Sequence, residues 1–210
     1  MIGSARPLAA LSALALCSAC AATAPLSPES AGELAGATLA PRTGDTPAFA
    51  AMTPGKAGFG LIGAALMRAK GNEIVADNGL VDPAGDVAAA LADDLAARYG
   101  ARPVEGDADA AFALEVTTTD WSYLYYFSQE SPLPYRVVYS AEARLVDLGG
   151  GTTVAEGRCL AEPGEKATAP TLERMLADGA RRLKDELAAA AALCVEELRS
   201  SVFGGESPSA

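Results

Sequence analysis

The sequence predicts an α+β fold: an antiparallel meander of three to four strands with two to three helices packed on one face. Three observations predict it. Between Ala111 and Leu160, runs rich in Phe, Val, Thr, Trp and Tyr are separated by turn-forming segments. From Thr171 to Arg199, apolar residues recur at the period of an amphipathic helix. Between Asp82 and Gly100 lies a helix with explicit start and stop signals.

The first element in chain order is an address. Met1 to Arg6 has one basic side chain, and Leu8 to Leu16 is apolar. That stretch is too short for a hydrocarbon core, which needs about 20 residues. Small Ser18 and Ala19 then precede Cys20. The run resembles the lipobox of bacterial lipoproteins, with Cys17 standing where the family prefers Leu. The resemblance implies loss of residues 1–19 as a signal peptide and lipidation of Cys20, palmitate included. Ala21 after that cysteine implies, by the same resemblance, the outer membrane, with the domain in the periplasm. An ordinary secretory signal cut near Ala22 or Ala24 is the alternative and leaves a soluble protein.

Residues 20–45 are rich in Ala, Pro, Ser, Gly and Thr and are expected to form a flexible tether. Such a chain has a mean reach of roughly 25–30 Å. One domain is expected over residues 46–200, with a disordered tail at 201–210. Thr46 to Thr53 is a candidate first strand. Phe59 to Ala76 reads as a helix, with Ile62, Leu66, Ala69 and Ile74 on the side expected to pack against the sheet. Its glycines also allow a close-packing membrane segment. Asp82 is the expected N-cap of the next helix and Pro83 its first residue, where a missing N–H costs nothing. Val87, Leu91 and Leu95 face one way, and Gly100 ends it.

Ala111 to Phe127, Tyr135 to Leu148 and Thr152 to Leu160 are the three strands of the meander. In the first, Phe112, Leu114 and Val116 alternate with Glu115, Thr117 and Thr119. Gly149-Gly150-Gly151 is the second turn. The last helix carries the stripe Leu172, Leu176, Ala180, Leu183, Leu187, Ala190, Cys194 and Leu198.

Composition narrows the function. The formal net charge is -11. An acidic chain repels phosphate backbones, so no nucleic acid is expected as partner. It is repelled by anionic head groups too, so the acyl chains must do the anchoring. Histidine is absent, which removes the commonest general base and zinc ligand. Cys159 and Cys194 are expected to pair in an oxidising periplasm; two separate buried thiols are the alternative. No cofactor and no metal site are expected. Asp107 and Asp109 fit a solvated turn better than a cation site, and adjacent Asp93 and Asp94 point about 100° apart on a helix and make no dyad.

Trp121, Tyr123, Tyr125 and Phe127 share one parity of the first long strand. They are the candidate partner contact, since Trp and Tyr dominate interface hot spots. The other reading is that they are core. In layout the chain loosely resembles small envelope lipoproteins, including the auxiliary lipoproteins of ABC-type lipid transport systems. The resemblance implies a non-enzymatic binding or accessory role, with the membrane held through the N-terminal lipid and an envelope protein as partner. A binder of a small apolar ligand or lipid is the alternative. A carboxylate-based enzyme ranks last, because no acidic pair stands out.

Overall fold

A computed structural model describes residues 23–57, 60–127 and 131–204. Cys20 and the signal region lie outside the described residues, as do residues 205–210 of the tail. The elements in order are α1 (Pro28–Glu33), β1 (Thr38–Thr43), β2 (Ala50–Ala51), α2 (Pro54–Ala57), α3 (Gly60–Asn78), α4 (Ala84–Tyr99), β3 (Arg102–Pro103), β4 (Phe112–Tyr125), β5 (Tyr135–Asp147), β6 (Thr152–Ala161) and α5 (Leu172–Ser201).

The α+β class stands, but the sheet is larger than expected and mixed. Its six strands run in the order β3-β1-β4-β5-β6, with β2 also on β4. The meander β4-β5-β6 is antiparallel. β1 and β2 pair with β4 in parallel. Parallel neighbours need a crossover, and the helices between β2 and β4 supply it.

The expected tether is therefore folded over most of its length. Ser27 caps α1 through the Ser30 N–H. In β1, Leu39 and Ala40 are buried and sit opposite Phe112 and Ala113. An Ala- and Pro-rich context hides this strand because its stability comes from its neighbours. Before α1, Ala24 forms an antiparallel bridge with Glu156 on the free edge of β6. The Leu26 N–H then donates to the Val202 carbonyl at 2.8 Å. The expected tail also begins later than position 201. Val202 and Phe203 are buried, and the Tyr99 hydroxyl donates to the Phe203 carbonyl.

Two irregularities set the core. On β4 the register shifts between Thr118 and Asp120, leaving Thr119 as the extra residue of a bulge. Before it, Phe112, Leu114 and Val116 face the helices. After it, Trp121 and Tyr123 do, with Tyr135, Val137 and Tyr139 beside them on β5. A second shift after Leu145 aligns Ala155, Cys159 and Ala161 with the same face. α5 is not the unbroken helix its stripe suggested. Ala177 to Ala180 are non-helical, and Asp178, Gly179 and Ala180 have positive φ. The break turns the first segment, so Met175 is buried while Leu172 and Leu176 are only partly so. Beyond it, Leu183, Leu187, Ala190, Cys194 and Leu198 hold their period on the sheet.

Candidate functional site

Strands β4, β5 and β6 share one end, where β4 finishes at Tyr125, β5 begins at Tyr135 and β6 finishes at Ala161. The expected contact residues converge here, but they do not form one surface. Trp121 and Tyr123 are 3% and 1% exposed, so of the two readings these residues follow core and not partner contact. The Trp121 indole N–H donates to the Pro47 carbonyl at 2.7 Å. Phe49 meets Trp121 and Tyr123 edge-to-face, with ring centroids 5.1 and 5.8 Å away. An apolar loop residue covers them because the bulge turns both inward. Tyr125 is half-buried against Tyr135, and Phe127 is 86% exposed with its ring 5.0 Å from that of Tyr125. The outer half of the aromatic row is surface and the inner half is core.

Burial acts on the phenols. It pushes Tyr123 up to about 12, helped by neighbouring Tyr135. Tyr139 also goes to about 12 through burial, which the hydrogen bond with Thr118 partly offsets.

Cys159 and Cys194 are joined, with Cα atoms 5.2 Å apart. The bridge fixes α5 across β6. Asp82 gathers several elements: it accepts from the Ala84 N–H at 3.0 Å, from the Thr46 hydroxyl at 2.7 Å and from the Thr118 hydroxyl at 2.5 Å. The expected N-cap thus also ties the start of α4 to mid-β4. Asp94 meets Arg98 at 2.9 Å and Arg199 at 3.0 Å, clamping α4 to the end of α5. Asp107 pairs with Arg42 at 2.5 Å, and the backbone carbonyl of Asp109 accepts from Thr38.

Helix α3 departs from expectation. Gly63, Gly71 and Ile74 face inward, while Leu61, Ile62 and Leu66 are 92%, 70% and 49% exposed. A period locates an apolar side but does not tell which side is covered. Gly71 lies so close to the Phe49 backbone that a Cβ would fall 1.7 Å from that carbonyl oxygen. The glycines, not the leucines, make the contact. Among the described residues no helix is long and apolar enough to cross a membrane. None of their His, Cys, Asp and Glu form a group of three or more placed to hold a metal ion.

No family model matches the chain, and no curated protein does. Solved structures resemble it in fold at low identity. The PelC dodecamer from Paraburkholderia phytofirmans is 13% identical, covering 80% of this chain and 89% of that one, with a TM-score of 0.38. Lipoprotein GNA1162 from Neisseria meningitidis is 19% identical, covering 74% and 99%, with a TM-score of 0.26. Protein CT253 from Chlamydia trachomatis is 11% identical, covering 81% and 100%, with a TM-score of 0.33. Lipoproteins stand among these neighbours, but similarity this distant assigns neither activity nor partner.

Proposed function

We propose that this chain is a lipid-anchored envelope protein with a non-enzymatic binding role. Cys20 carries the anchor in the outer membrane, the domain lies in the periplasm, and a protein partner in envelope assembly or transport is recognised. The observation that carries the reading is the pairing of Ala24 with Glu156. Only Ala21, Ala22 and Thr23 separate Cys20 from a residue fixed in the sheet. Four residue steps cover at most about 14 Å. A lipid at Cys20 would hold the folded domain against the bilayer rather than off it, where a membrane-bound partner is within reach.

The half-buried Tyr125 and the exposed Phe127 are what remains of the proposed partner contact. A binder of a small apolar ligand finds less support. A cleft beside the α3–α4 turn, lined by Leu80, Pro83, Asp86, Lys184 and Leu187, holds about 190 Å³, and one beside β1 about 200 Å³. Ligand pockets usually hold roughly 300–1,000 Å³.

Intact mass of protein extracted from membranes, with and without reduction and alkylation, tests the reading. Two or three acyl chains on a chain beginning at Cys20 are expected. A bare mass beginning near Ala22 would remove the anchor and the function with it. Crosslinking from position 127 then identifies the partner.

A further inference from the structure

We propose that the N-terminal half of α3 docks on the lipid bilayer, with Leu61 and Ile62 entering the interface and Arg68 beside lipid phosphates. The proposal rests on the lipid-anchored reading above and adds a second attachment to it.

Direction comes first. Asp82, just after α3, bonds Thr118 in mid-β4, and Gly71 abuts Phe49 and Ala50, which lies opposite Ser122. Going backward along α3 therefore climbs β4 toward Tyr125. From Gly71 back to Gly60 the helix continues about 16 Å further that way at 1.5 Å per residue. Its first turns reach the end of the sheet that carries Phe127.

The N-terminal lead heads the same way. Ala24 runs antiparallel to β6 at Glu156, and Thr23 lies beside Gly157. Followed backward from Ala24 to Thr23, the lead thus runs toward the Ala161 end of β6. The lead at Ala24 and the apolar turns of α3 thus run toward the same end of the molecule. The lead and β2 are four strand spacings apart, across β6, β5 and β4, about 19 Å at 4.8 Å per spacing.

Charge and apolar exposure together, beside the proposed anchor, point to a bilayer as the occupant. The chain carries a net charge of -11, yet from Thr46 to Asn72 it has no acidic residue and includes Lys56, Arg68 and Lys70, the last paired with Glu73 at 2.7 Å. An exposed apolar helical face followed by cations suits an acyl boundary beneath anionic head groups. An acidic second copy would complement the cations but would leave the apolar turns without the acyl boundary that the nearby anchor provides. The repulsion expected from total charge is relieved locally, at the one end the anchor presents.

The test uses the full chain purified from membranes and returned to vesicles of phosphatidylethanolamine and phosphatidylglycerol brominated high on the acyl chains. Trp121 is the only tryptophan and is buried, so Ile62→Trp adds a readable reporter. Val81→Trp, at an exposed position beyond the far end of α3, is the control. A docked face sits about 5–10 Å into the interface, so about twofold quenching or more is expected for I62W, with V81W unchanged. Acylated protein whose I62W is quenched no more than V81W overturns the proposal. So does a blue shift without quenching that grows with protein concentration, the signature of a second copy. If mass finds Cys20 bare, the anchor fails separately. The unacylated chain on millimolar phosphatidylglycerol vesicles then decides, with quenching supporting the docking face and its absence overturning it.

Discussion

Gly71 is where α3 comes nearest to the backbone before β2, and no larger residue fits there. Gly71→Ala should destabilise the domain by about 1–3 kcal/mol, because the obstacle is a peptide carbonyl and not a movable side chain. Gly85→Ala, on α4 with open space around it, should be neutral or stabilising by up to about 1 kcal/mol. Urea midpoints of the two variants give the comparison, and equal midpoints would show that α3 is free to move away. The same residue explains what sequence patterning misses. A glycine in a helix reads as a weakness, whereas here two glycines form the buried side and leave Ile62 and Leu66 outside. Asp82 is legible as a cap from Asp-Pro alone. Its bonds to Thr46 and Thr118 are not, since they join residues 36 apart in sequence.

Among the elements, β4 shows how far periodicity carries. Alternation locates the strand and both of its faces, and the shared parity of Trp121 and Tyr123 holds in the structure. What alternation does not contain is the bulge at Thr119, which brings two opposite parities onto one face. That single extra residue turns half of an expected surface into core. β1 escapes notice for another reason: it is short and pairs with a strand far along the chain, while β2 falls inside the candidate strand at 46–53 but is only two residues long. α5 and β6 are legible enough to place Cys159 opposite Cys194. Their bridge closes a loop with a sequence separation of 35. Replacing both cysteines by Ala should cost about 3–4 kcal/mol in the chain-entropy account. A shift in the guanidinium midpoint checks it. An unchanged midpoint would mean that the apolar stripe of α5 docks the helix without help.

For the whole molecule, the buried phenols set an alkaline limit. Tyr123 and Tyr139 ionise near 10 in an unfolded chain and at about 12 in the folded one. Between those values the folded state binds more protons, so stability is fully present below pH 10 and falls as pH rises toward 12. Phenolate absorbance from these residues should appear together with loss of the circular dichroism of the fold. Phenolate forming ahead of unfolding would show that the two rings are not sealed. The pairing of Leu26 with Val202 also orders events in time. The lead beside β6 has no complete partner until the end of α5 exists, so its first segment stays partly unpaired until position 202 has joined the fold. Nearly the entire polypeptide must therefore be present before the domain closes. Were Cys20 acylated as proposed, the modifying enzyme would meet it while the residues that follow are still unpaired.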